Sequence, residues 1–190
     1  CDMSSDIFSR ILDFTKFDLI YAGAQKNMGP AGTTLVIVKE DILGKVSRVI
    51  PSMLDYQVHI SKDSMFNTPA VFPTYVSMLT LEWLKELGGI SEIEKVNNAN
   101  SSLLYSEIDN NPLFNGFVTN AEDRSKMNAT FTLNDENLKD RFDSLWKSAG
   151  ISGLNGHRSV GGYRASMYNA MPLESVQVLV DVMQELNRKA

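Results

Sequence analysis

Two short apolar runs stand near the start of the chain, FDLIYAGA (17–24) and GTTLVIVKED (32–41), the second with Leu35, Val36, Ile37 and Val38 in succession. Continuous apolar runs of this length predict strands covered on both faces. The intervening QKNMGPAG (25–32) is a turn by its glycine and proline content. A connection this short joins an antiparallel pair but leaves no room for a crossover helix, so a mixed sheet is expected. Residues 44–70 show no period, and Pro51, Pro69 and KDSMFNTP (62–69) read as loop. From Val71 to Leu87 the apolar positions Val71, Tyr75, Met78, Leu79, Leu81, Trp83, Leu84 and Leu87 recur at helical spacing, with Trp83 on the apolar face and so expected in the core. Gly88 and Gly89 supply a C-terminal stop. Ser91 with Glu94 three residues later is a capping-box pattern that opens a second helix to about Ile108. The double glycine is a natural hinge, which places a domain boundary near residue 90.

Beyond that point the pattern alternates. FNGFVT and SKMNATFTL read as strands, Asp135 opens a helix carrying Leu138, Phe142, Leu145 and Trp146, GGYRASMYNA reads as a strand, and 173–186 as a closing helix. Strand–strand–helix–strand–helix is the order of a small α+β domain. The expected fold class is α/β: residues 1–90 form a mixed sheet with helices, and residues 91–190 a small α+β domain.

Composition narrows the function classes. The chain has 190 residues, 43% hydrophobic and 22% charged, enough to bury a core. A net charge of −5 argues against general nucleic-acid affinity but leaves room for local basic sites. Cys1 is the one cysteine, so no internal disulfide forms, which fits a reducing compartment. No apolar run approaches the ~20 residues of a membrane span, and no signal-peptide pattern opens the chain. The opening CDMSSDIFSR lacks an initiator Met and reads as a sequence entered midway, so a fragment is expected.

Lys26 stands at the end of the first apolar run, after Ala22, Gly23, Ala24 and Gln25. A lysine in a loop is ordinarily solvated. The sharper reading is an imine-forming amine, which must be neutral to attack a carbonyl. Its setting favours the second, because the small residues before it leave room for a planar ligand, and Asn27 and Gly29 permit a sharp turn. Asp2 alone is an unremarkable acid. Beside a Schiff-base lysine it has a use: a carboxylate at a pyridine nitrogen keeps it protonated and makes the ring an electron sink. Ser4 and Ser5 are hydroxyl donors in the same stretch, or plain turn residues.

GHRSVGGYR (156–164) concentrates His157, Arg158 and Arg164 beside three glycines. It reads either as a solvated basic loop or as an anion pocket, in which glycines allow close backbone approach and guanidinium forks grip carboxylate or phosphate. Asn67 and Thr68 in FNTP read as a loop turn or as donors to phosphate oxygens. Other signals carry less. GPAGTT lacks the Gly-Lys-Ser/Thr ending of a nucleotide phosphate loop. His59 and His157 are far apart, with no cysteine cluster, so no metal site is expected; His59 reads as a loop residue. The nine methionines and Trp146 read as core.

Together CDMSSDIFSR, IYAGAQKNMGPAG, MFNTP, RSKMN and GHRSVGGYRASMYNAMP resemble the phosphoserine aminotransferase family over almost the whole chain. The resemblance implies the C-terminal half of a fold-type-I enzyme that uses pyridoxal 5'-phosphate: the later part of the large domain, followed by the small domain. It implies Lys26 as the Schiff-base lysine, Asp2 at the pyridine nitrogen and Gln25 at the cofactor phosphate. Asn67 and Thr68 would reach the cofactor of the neighbouring subunit in a homodimer. Arg164 would take the substrate α-carboxylate, and His157 and Arg158 the distal phosphate or carboxylate. The implied reaction moves an amino group from glutamate to 3-phosphohydroxypyruvate, giving O-phosphoserine for serine biosynthesis in the cytoplasm. A related substrate in vitamin B6 synthesis, 4-phosphohydroxythreonine, is implied too. Alone, a piece lacking the family's front half is expected to be inactive. Two other readings remain: another fold-type-I enzyme, such as a desulfurase relative, or a non-catalytic dimerisation piece using the helices at 71–87 and 91–108.

Overall fold

β1 (Leu19–Gly23) and β2 (Thr34–Val38) pair antiparallel, from Leu19 opposite Val38 to Gly23 opposite Thr34, in a computed structural model that describes residues 1–189. The first residues of the chain run along the other edge of β1. Asp2 bridges Tyr21 in parallel, the Met3 N–H donates to the Tyr21 carbonyl at 2.8 Å, and the Tyr21 N–H donates to the Cys1 carbonyl at 3.0 Å. β1 thus has an antiparallel neighbour in β2, as the short connection between two apolar runs requires, and a parallel bridge from Asp2 on its other edge.

The strands are not covered on both faces as their composition predicts. In β1 Ile20 and Ala22 are buried and Tyr21 is exposed, and β2 is at best half-buried. One face of β1 packs on Met3, Ile7, Ala24 and Met28, and the turn after the strand folds back to that same side. The other face stays open and carries Tyr21.

Residues 44–70 hold more structure than their lack of period predicts. A 3-10 turn at Ser52–Leu54 leads into α1 (Tyr56–Ile60), which Asp55 caps by accepting the Gln57 N–H at 2.9 Å. His59 therefore sits on a helix rather than a loop, with Nε2 3.1 Å from the Met53 carbonyl and its ring edge-on to Phe66. A local cap makes this helix where periodicity gives no sign of one.

α2 (Val71–Glu86) ends where the double glycine predicts: Gly88 and Gly89 take φ of 109° and 80°, and the Gly89 N–H returns to the Leu84 carbonyl at 2.9 Å. The helix lies close on the β1–β2 turn. A Cβ at Gly29 would meet Ser77 Oγ at 2.7 Å and Ser77 Cα at 3.1 Å, so only glycine permits the approach. Trp83 is not core, being 39% exposed, and Leu84 is the one buried residue of α2. A helix apolar all round cannot bury every face against one turn.

The chain divides into two compact units, Cys1–Ile90 and Ser91–Ala190. α3 (Ile90–Asn110) starts one residue before the expected cap, so Ser91 lies within its first turn. The sheet that follows is antiparallel in the order β3 (Phe114–Gly116), β4 (Asn128–Leu133), β5 (Tyr163–Ser166). α4 (Lys139–Ser148) follows a 3-10 turn capped by Asp135, and α5 (Leu173–Lys189) packs against α4. Strict alternation in β4 buries Ala129, Phe131 and Leu133, which meet Phe142 and Trp146 of α4 and Val176, Leu179, Val180, Met183 and Leu186 of α5. The methionines split: Met3, Met28, Met127, Met167 and Met183 are buried, whereas Met53, Met65 and Met78 are exposed.

Asp143 ties α4 to the sheet. Its carboxylate accepts from Trp146 Nε1 at 3.0 Å, from the Tyr163 hydroxyl at 2.9 Å and from Lys139 Nζ at 2.8 Å. Burial pushes this carboxyl up, but the Lys139, Trp146 and Tyr163 hydrogen bonds outweigh it and leave it below its ordinary value. A depressed carboxylate contributes stability that is present above the unfolded pKa of about 3.9 and is lost as pH falls through the folded value. Asp143→Asn keeps an oxygen for Trp146 and Tyr163 but removes the charge. Urea titrations across pH are expected to show the variant less stable than the parent at neutral pH. The gap should close as pH drops below about 4; a gap independent of pH would contradict the assignment.

Candidate active site

The first cluster forms at the C-terminal end of β1. Three hydrogen bonds bind the 4–9 segment to the turn that carries Lys26. The Gly23 N–H donates to Ser4 Oγ at 3.1 Å, and the Asn27 side-chain amide donates to the carbonyls of Ser5 at 3.2 Å and Ile7 at 3.0 Å. Asn27 is buried and acts as a staple, a larger part than the turn-former its sequence position predicts. The turn is locked by the Met28 and Gly29 N–H groups, which both reach the Ala24 carbonyl. Lys26 is half-buried at its crest, and Gln25 is exposed beside it.

Asp2 lies across from Tyr21 on the open face of β1. The Ser4 N–H donates to its Oδ1 at 2.8 Å, and the Ser4 hydroxyl, the Tyr21 hydroxyl and the Lys26 ammonium add to this, so the carboxyl is held below its ordinary range. In return the Asp2 charge, first, and its hydrogen bond raise the Tyr21 phenol above its usual value. Asp2 thus sits beside the middle of β1 and Lys26 on the turn after it, close enough for the lysine charge to be the smallest of the causes that lower the Asp2 carboxyl. Tyr21 is the member that sequence reasoning missed. Its place depends on the pairing of residues 1–3 with β1, which no local pattern shows.

The small residues before Lys26 do not all leave ligand space. Ala22 and Ala24 are fully buried and serve the core, so only Gly23 faces the open side, where a Cβ would meet the Gln25 side-chain oxygen at 2.4 Å. Gln25 folds back over that glycine. Asn67 and Thr68 are exposed between α1 and α2, the Asn67 amide donating to the Thr68 carbonyl at 3.1 Å.

The second cluster belongs to the other unit. The 156–162 segment is a closed loop: the Gly156 N–H donates to the Gly162 carbonyl at 2.9 Å, and the Val160 and Gly161 N–H groups both donate to the His157 carbonyl. β5 then alternates, with Tyr163 and Ala165 inward and Arg164 outward, opposite Thr130 of β4. His157 and Arg164 line one cavity of about 200 Å³ together with Phe117, Thr130, Val160 and Gly161. Arg158 is exposed on the same loop and does not line that cavity. Close backbone contact at the loop's base explains one glycine: a Cβ on Gly156 would sit 2.0 Å from the Gly161 carbonyl oxygen. Gly156→Ala is therefore expected to open the loop and lower the stability of this unit by about 1–3 kcal/mol, read as a lower denaturant midpoint. An unchanged midpoint would show that the loop absorbs the methyl group without opening.

Chemically, the first cluster offers a primary amine beside a carboxylate kept ionised. The second offers an imidazole and a guanidinium on one concave surface, suited to anionic groups. Among the described residues no group of three or more His, Cys, Asp or Glu is placed to hold a metal ion, and no helix is long and apolar enough to cross a membrane.

Comparison with known proteins places these clusters in a family context. The family model described as aminotransferase class-V matches residues 1–179. Phosphoserine aminotransferase of Flavobacterium psychrophilum is 75% identical over 189 residues, which cover 100% of this chain and 53% of that protein. A solved structure concerned with radiation damage of the Schiff base in phosphoserine aminotransferase superposes with a TM-score of 0.93 at 47% identity, over 100% of this chain and 52% of that one. The PLP-bound phosphoserine aminotransferase of Trichomonas vaginalis gives 0.87 at 36% identity, over 96% of this chain and 52% of that one. The chain spans about half the length of the curated relatives it matches.

Proposed function

This chain belongs to the class-V aminotransferase family, and on that premise we propose that it serves the phosphoserine aminotransferase reaction, with pyridoxal 5'-phosphate as cofactor. Glutamate would give its amino group and leave as 2-oxoglutarate, and 3-phosphohydroxypyruvate would receive it to become O-phosphoserine. The observation that carries this reading is the half-buried Lys26 amine on the turn after β1, within reach of the charge of the Asp2 carboxylate beside that strand, with the intervening segments stapled by Ser4 and Asn27. That pair of groups fits the cofactor, which when bound would supply an aldehyde for the Lys26 amine and an electron sink.

The chain's own residues then divide the work. Lys26 Nζ would take the proton from the substrate Cα and hand it on to the cofactor side within the same half-reaction, and in the second half-reaction would run the transfer in reverse, delivering a proton to the product Cα. Asp2, already ionised with Ser4 and Tyr21 around it, holds a proton on the ring nitrogen. Gln25, exposed beside Lys26, would donate to a phosphate oxygen of the cofactor. Arg164 grips the substrate α-carboxylate by its fork, and His157 and Arg158 take the second anionic group. Asn67 and Thr68, both exposed, reach the cofactor phosphate of a neighbouring subunit in a homodimer. The exposed apolar residues of α2, among them Phe72 and Tyr75, support such an association. The setting is cytoplasmic serine biosynthesis.

Borohydride reduction of the protein mixed with pyridoxal 5'-phosphate tests the reading. The cofactor mass is expected on the peptide containing Lys26, and Lys26→Ala should remove it. Labelling spread evenly over exposed lysines such as Lys16 would overturn the proposal. With the family's front half supplied, Arg164→Lys, which keeps the charge but loses the fork, is expected to raise KM for glutamate by roughly 10- to 100-fold, the loss of about 1.5–3 kcal/mol for a charged hydrogen bond. Unchanged KM would remove Arg164 from the carboxylate site.

A further inference from the structure

His157 makes two contacts through one ring nitrogen. Nδ1 lies 2.7 Å from the Ser159 hydroxyl oxygen and accepts the Ser159 backbone N–H at 3.3 Å. A backbone amide can only donate, so the nitrogen it faces must present a lone pair. The hydroxyl, free to rotate, adds a second donor to the same nitrogen. Protonation at Nδ1 would set two N–H groups against each other, so the ring proton belongs on Nε2. The ring is exposed and lines the same cavity as Arg164.

We propose that Ser159 is a positioning residue that holds His157 as the Nε2–H tautomer, so that the ring presents a hydrogen-bond donor at Nε2 to the second anionic group of the substrate. The inference rests on the reading of His157 as an anion ligand. It separates two contributions in this cavity: Arg164 on β5 supplies positive charge, and His157 on the loop supplies direction. A donor fixed at one nitrogen selects among anions by geometry, since the oxygen must lie along the Nε2–H bond.

Nitrogen NMR of the full chain tests this directly, because His59 and His157 are its two histidines and His59→Gln assigns the signals. The expected parent spectrum shows a protonated Nε2 and an unprotonated Nδ1 for His157. Ser159→Ala should raise the share of the Nδ1–H tautomer roughly fivefold, the equivalent of one net hydrogen bond, and Ser159→Thr should restore the parent ratio. A dominant Nδ1–H form in the parent, or an unchanged ratio in Ser159→Ala, would overturn the inference and leave the chemistry at Lys26 untouched. Inorganic phosphate is then titrated in. Movement of the Nε2 signal is expected, and a correct tautomer with no response at Nε2 would overturn the anion role. Neither measurement needs the cofactor, so their failure is distinct from failure of borohydride capture at Lys26.

Discussion

Lys26→Ala is expected to abolish amino transfer, with a fall in turnover at or beyond the ~10⁴-fold upper end usual for losing a positioned proton-transfer group. Two losses combine at this side chain. The amine that makes the covalent link is gone, and so is the base that moves the Cα proton. The effect is specific to chemistry. Lys26 is half-buried on a turn locked by backbone hydrogen bonds from Met28 and Gly29 to the Ala24 carbonyl, and by the Asn27 amide. None of these hydrogen bonds uses the lysine side chain, so the backbone lock on the turn survives the substitution. The measurement is glutamate-dependent formation of 2-oxoglutarate by the chain supplied with the family's front half, with circular dichroism as the control for folding. Turnover within tenfold of the parent would remove Lys26 from the chemistry and with it the proposed reaction.

The largest stability effect is expected at Phe142. Its side chain is 0% exposed and stands at the centre of an aromatic group, with ring centres 5.1 Å from Phe114 and 4.9 Å from Tyr163, both edge-on. Phe142→Ala removes the ring from between helix and sheet and leaves a void, at a cost of about 3–5 kcal/mol. A domain of ordinary stability holds about 5–15 kcal/mol in all, so the variant unit should be close to unfolding at physiological temperature. Phe142→Leu keeps much of the volume and should cost clearly less. Urea unfolding followed by Trp146 fluorescence reads both, since Trp146 lies in the same core. A loss below about 1 kcal/mol for the alanine variant would mean that the site collapses around the void.

The element order of the second unit was legible because β4 alternates and α5 keeps a helical apolar stripe, and both patterns are set by backbone geometry rather than by distant partners. The stop after α2 was legible for the same reason, since glycines with positive φ announce themselves. The errors have a common cause. Helical spacing predicts burial of Trp83, and residue type alone predicts covered faces for β1 and ligand space at the alanines beside Lys26. Burial depends on what packs against each face, and a stretch of sequence does not hold that information. α1 was missed because five residues with one aspartate cap give no period to read.

At the candidate site the same division holds. The residue types and their local spacing established the chemistry on offer: an amine after a buried strand, an acid with nearby hydroxyls, and a basic, glycine-rich loop. Only the tertiary structure decided that Asp2 and Tyr21 share one face of β1, that Asn27 staples the lysine turn to the opening segment, and that Ser159 addresses one nitrogen of His157. Periodicity along the chain reports which side a residue faces within its own element. Contacts between segments nearly twenty residues apart, or between a hydroxyl and a particular ring atom, are set by closure and packing in three dimensions.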